Sequence, residues 1–251
     1  MWGFPVLLGW VVTIPLIIAR KNTVALRKAL LTCGVLSSLW YAYINIFVPL
    51  QYDGYSAVSL TVSELSAIGA PTRIIWVLLA IFYPLLLLFF GWGVLKSASG
   101  NRYLRMAGIS IIAYSIMNFY WPPMHQRGVI AAGGGTLTDT LHLVWAMMTL
   151  LFNMLLMGFG AAALSRRFRL YTIITWVVFF VCGALTFMES PGIEANLPTP
   201  YIGLWERINI GAFMLWVIAF ATILIRKESL PGTIKAIVPV SALADVHLEV
   251  R

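Results

Sequence analysis

Seven stretches of the chain are almost wholly apolar, and polar residues, glycines and prolines separate them. They fall at about Trp2–Ala19, Ala25–Val48, Ile74–Leu95, Leu104–Tyr120, Leu137–Leu164, Tyr171–Met188 and Gly203–Ile225. At a rise of ~1.5 Å per residue such runs have the length needed to cross a bilayer. The pattern therefore predicts an all-α, polytopic membrane helix bundle of seven transmembrane helices. Residues 1–230 are expected to form a single transmembrane domain and residues 231–251 a short cytoplasmic tail. The first run is short, carries Pro5 and Pro15, and ends in Arg20-Lys21 with no small-residue cleavage site. It reads as a retained span rather than a signal peptide. The fourth stops at the Trp121-Pro122-Pro123 breaker.

The polar positions between the runs fix an orientation. Counted on alternate sides, one side receives 14 Lys and Arg against three acids, a net of +11, and the other receives three against six, a net of −3. By the positive-inside rule the N-terminus lies outside and the C-terminus is cytoplasmic. A count wrong by one helix would scramble this segregation.

Composition agrees with the pattern. Apolar residues make up 61% of 251, charged ones 10%, and the mean hydropathy is +0.89, which excludes a soluble fold. The net charge of +8 does not imply nucleic acid, because the basic residues sit in short loops where they set topology. Cys33 and Cys182 both lie inside apolar runs and read as core packing. Membrane lipids are the expected surroundings.

Candidate chemistry gathers on the acidic, outer side. Asp139 and His142 stand three residues apart at the start of the fifth helix, on one helical face at the hydrocarbon edge. Ionisable groups there face a cavity or a partner by default. His125 follows the fourth helix, Glu206 and Arg207 open the seventh, and Glu64 lies between the second and third. Glu64, His125, Asp139, His142, Glu206 and Arg207 are therefore the expected ligand-binding set. His142, oriented by Asp139 and helped by Glu206, is the candidate catalytic group, and His125, His142 and Asp139 are candidate metal ligands, with zinc the metal in view. The competing reading is a structural network that anchors helix ends, with Asp139 favouring a helix N-terminus. Trp2, Tyr52, Tyr55, Tyr120, Trp121, Tyr201 and Trp205 read as an interfacial aromatic belt. His247 falls in the tail, and Met147, Met148, Met154 and Met157 read as packing. Gly158, Gly160 and Ala161 to Ala163 suggest close helix contact, within the chain or in a homo-oligomer.

The run Ser63-Glu64-Leu65-Ser66-Ala67 with Gly69-Ala70-Pro71-Thr72, together with Asp139-x-x-His142 and Gly203-Leu204-x-Glu206-Arg207, resembles an uncharacterised prokaryotic membrane family known as domain of unknown function 998. The likeness runs from about Arg27 to Arg226 and leaves the first helix outside the family's usual six-helix unit. It implies fold and a multi-pass location in a bacterial or archaeal inner membrane, and no reaction. In topology the chain is also loosely similar to the seven-helix membrane hydrolases that include alkaline ceramidases and adiponectin-type receptors. Those hold zinc with three histidines, whereas this chain offers His125 and His142 on the relevant side.

Two functions follow as expectations. The first is binding of a small or lipid-like ligand in an outward-facing polar pocket, as a sensor, transporter component or assembly factor. The second is an intramembrane hydrolase, metal-dependent or not, acting on a lipid-like substrate. The first is favoured because neither a nucleophile motif nor a complete ligand set is legible. Within it transport is disfavoured, since Asn45, Asn118, Asn153 and Asn209 are the few mid-helix polar residues.

Overall fold

The computed structural model of the protein describes residues 23–230. The predicted first span and the predicted tail lie outside those residues. Within them the regular structure is helical, apart from an isolated bridge between Ile68 and His125. The principal helices are α1 (Thr23–Phe47), α2 (Arg73–Ala80), α3 (Phe82–Lys96), α4 (Arg102–Met117), α5 (Leu137–Ala163), α6 (Arg166–Glu189) and α7 (Ile202–Ser229).

Among the described residues five segments are long and apolar enough to cross a membrane: Thr23–Gln51, Arg73–Lys96, Leu137–Ala163, Arg166–Glu194 and Ile202–Ser229. The chain is thus a multi-pass membrane helix bundle. Among the expected spans that fall within the described residues, the fourth is the short one: α4 has 16 residues and ends at Met117, three residues before the apolar run does. The helix gives out at Asn118, just before Pro122 and Pro123, which cannot continue the backbone ladder.

The run Ile74–Leu95 also departs from expectation, being broken at Ile81 into α2 and α3. Pro84 has no N–H for the carbonyl four residues back, so the ladder fails there. The Trp40 indole donates to the neighbouring Leu79 carbonyl at 2.8 Å, and Ser115 Oγ donates to the Pro84 carbonyl. Trp76 and Ala80 before the break and Tyr83 and Pro84 after it line one interior space.

Consecutive helices pack in sequence order, α1 on α3, α3 on α4, α4 on α5, α5 on α6 and α6 on α7, and α7 closes the ring against α1. One end of the ring is made of tight turns and is basic, with Arg27, Lys28, Lys96, Arg102, Arg105, Arg166, Arg167, Arg169, Arg226 and Lys227 at the helix ends. There Arg27 Nε donates to Glu228 Oε2 at 2.8 Å and ties α1 to α7. The interior above it is filled by Phe90, Phe168, Trp216 and Phe220, whose rings meet edge-on, tilted or stacked at 4.9 to 6.1 Å. Gly160 has the Trp216 ring where a Cβ would stand, so this small residue serves contact within the chain. The other end carries the three long loops, and the site lies beneath them.

Candidate functional site

The loop from Tyr52 to Thr72 folds across the mouth of the ring and is fastened to every neighbouring loop. Its centre is a single 3-10 turn, Ser63–Ser66. Glu64, buried in that turn, receives Arg127 at two points, Nε to Oε1 at 2.7 Å and Nη2 to Oε2 at 2.9 Å. Its Oε2 also accepts the Thr61 amide at 2.7 Å. Arg127 continues to Thr199 Oγ1 at 3.1 Å, and that hydroxyl donates to the Ser59 carbonyl at 2.7 Å. All three loops are thereby joined.

The start of α7 holds the same loop from beneath. Glu206 Oε2 accepts the Val62 amide at 2.6 Å. Arg207 Nη1 donates to the carbonyls of Ala57, Leu60 and Gly203, and Nη2 to the Tyr55 hydroxyl at 2.6 Å. Burial pushes the Tyr55 hydroxyl above its ordinary range, Arg207 opposing it, so it stays protonated and donates to the Thr61 carbonyl at 2.7 Å. Tyr52 and Tyr55 of the loop and Trp205 of α7 are hydrogen-bonded to Gln126, Arg207 and Glu189 respectively, in addition to any belt role.

Asp139 and His142 part company. Asp139 accepts the Thr136 amide at 2.7 Å, closing a capping box at the start of α5. It also takes the His125 amide at 2.6 Å and His125 Nδ1 at 2.9 Å. Its oxygens are spent on the loop before the helix, because a side chain in the first turn leans back towards the N-terminus. His142, one turn further in and buried, bonds the Pro122 carbonyl through Nδ1 at 2.7 Å and Ser63 Oγ through Nε2 at 2.9 Å. The expected pairing of His142 with Asp139 is thus replaced by two pairs, His125 with Asp139 and Ser63 with His142. Neither set approaches a zinc site: among the described residues no three of His, Cys, Asp and Glu converge, and both His142 nitrogens are already committed.

Below the loop lies a cavity of about 310 Å3 to which every helix of the ring contributes. Its wall is mainly aromatic and aliphatic, including Tyr41, Trp76, Tyr83, Tyr114, Trp121, Phe179 and Phe213. From α5 it receives His142, Trp145, Thr149 and Asn153, which recur every three or four residues on one helical face. Four buried wall atoms have no hydrogen-bond partner among the described residues: Trp145 Nε1, Thr149 Oγ1, Asn153 Oδ1 and Asn209 Oδ1. Glu206 is the one carboxylate among the described wall residues, and no lysine or arginine joins it.

Of the six residues expected to bind ligand, His142 and Glu206 face this cavity. Glu64 and Arg207 act in the loop above, and His125 and Asp139 in the neighbouring loop. Sequence reasoning passed over Ser63 as a partner of His142, and Trp145 and Thr149 altogether. The three-four spacing from His142 through Asn153 was the signal that could have found the latter.

Residues 35–223 match the model of the family described as Protein of unknown function (DUF998), and the chain belongs to that family. The motifs at Ser63 to Thr72, Asp139 to His142 and Gly203 to Arg207 all fall within the match. No curated protein and no solved structure matches the chain.

Proposed function

We propose that the protein binds a small, neutral or cationic amphiphile in the central cavity, entering from the loop end. One observation carries the reading: four polar atoms with no partner among the described residues sit in the wall of a largely apolar space of about 310 Å3. Buried polar groups are nearly always hydrogen-bonded, and each left unmade costs roughly 1–3 kcal/mol. Four on facing helices α5 and α7 suit a ligand with an apolar body and a few polar atoms. Glu206, with no basic residue in the wall, disfavours an anion. The volume suits a small molecule or part of a single chain more than a whole phospholipid.

The bundle is further proposed to have seven spans, with the loop end outside and the basic end in the cytoplasm of a prokaryotic cell membrane, as the charge segregation favours. The test of the binding reading is thermal stability of the detergent-purified protein titrated with 1-O-dodecylglycerol, a neutral single-chain ether. A saturable rise in melting temperature, lost when Thr149→Val and Asn153→Leu are combined, is expected. An equal rise in that variant would overturn the reading.

A further inference from the structure

Ser63 and His142 meet inside the cavity wall, on the 3-10 turn of the covering loop and on α5. The Pro122 carbonyl can only accept, so His142 Nδ1 carries the proton of that 2.7 Å bond. In the neutral ring Nε2 is then a bare acceptor, and Ser63 donates its hydroxyl to it at 2.9 Å. A hydroxyl bonded to an imidazole whose other nitrogen is held by a third group is the arrangement that activates a serine nucleophile. The carbonyl here fixes the tautomer and ring orientation. The His142 ring also lies 5.9 Å from that of Trp145, whose partnerless Nε1–H belongs to the same wall.

From this geometry we infer that Ser63 is a nucleophile and His142 its general base, acting on an acyl ester whose apolar chain occupies the cavity. This rests on the proposed binding of an amphiphile there. As Ser63 Oγ bonds to the ester carbonyl carbon, its proton passes to His142 Nε2. The indole N–H of Trp145 is a free donor of the wall for the oxygen that becomes negative. The tetrahedral carbon then expels the alcohol oxygen, and His142 returns the proton to it, leaving Ser63 acylated. Water adds to the acyl carbon by the same route, its proton again passing through His142, and releases the carboxylic acid and free Ser63. Asp139, spent on His125 and the Thr136 amide, has no part in this.

The experiment is labelling of the full-length detergent-purified protein with a dodecyl fluorophosphonate, mapped by peptide mass spectrometry, alongside turnover of p-nitrophenyl laurate. The expected adduct is on Ser63. It is absent in Ser63→Ala and unchanged in Ser229→Ala, whose hydroxyl lies at the basic end of the ring and bonds the Ile225 carbonyl. His142→Gln is expected to slow both labelling and turnover by at least ~100-fold, the usual worth of a general base. Because His142→Gln could also disturb the fold, stabilisation by 1-O-dodecylglycerol is measured in each variant, and it should persist in Ser63→Ala. Ether binding with Ser63 unlabelled, or with labelling spread evenly over serines, overturns the inference and leaves the binding reading standing. Failure of both ether binding and labelling overturns the two together.

Discussion

Glu64 and Arg127 form a two-point ion pair between loops 63 residues apart in sequence, with side chains only 8% and 16% exposed. Removing one partner of such a pair leaves a charge without compensation, at a cost of about 3–5 kcal/mol. Glu64→Gln and Arg127→Gln are each expected to lower the melting temperature in detergent markedly. The double variant should be less destabilised than the sum of the two. Additive losses under about 1 kcal/mol each would show the pair to behave as an exposed one.

Asp139 and Glu206, which the linear motifs invite one to combine, serve different partners. Asp139 holds His125 and the amide of Thr136, and Glu206 holds the amide of Val62. With no shared partner their effects should add to within about 0.5 kcal/mol. A double-mutant cycle of Asp139→Asn and Glu206→Gln, read by thermal melting, measures this. A coupling above 1 kcal/mol would mean that the two networks communicate through the loop.

The apolar runs made the helices legible because length and hydropathy depend on nothing but the run itself. The break at Ile81 was not read, although Pro84 was visible, because an apolar run masks a kink that neighbouring side chains repair. The importance of the Ser63 to Thr72 loop was legible from its Ser, Gly and Pro content. Its partners were not, since the bonds from Glu64 to Arg127 and from Ser63 to His142 span 63 and 79 residues. Asp139 and His142 looked like one unit because helical spacing predicts a shared face, but it does not predict the capping box that draws Asp139 back to Thr136.

Charge on the helix ends leads to a topology that can be read in cells. Fusions of a reporter after Lys28, Ser99, Arg169 and Lys227 should all report the cytoplasm, and fusions within the three long loops should not. A signal from the far side at any two of the four sites would reject both the seven-span count and the orientation.

The approach of the covering loop to α7 depends on the lack of a side chain at Gly203. A Cβ there would collide with the Leu60 carbonyl oxygen and stand 2.6 Å from that of Ala57. Both oxygens are already fixed by Arg207, and Leu204 N bonds the Val58 carbonyl at 3.0 Å, so the loop cannot retreat without surrendering several bonds at once. Gly211 lies on the same helix with nothing within 4 Å of its missing Cβ. There alanine should be neutral or stabilising by up to about 1 kcal/mol, from helix propensity. Gly203→Ala, by contrast, should destabilise by roughly 1–3 kcal/mol, as overpacking does. It should also lift the segment carrying Ser63 away from His142. The checks are the two melting temperatures and protease sensitivity of the Tyr52 to Thr72 loop. Equal behaviour of the two variants would mean that the loop does not press on α7 as closely as these distances require.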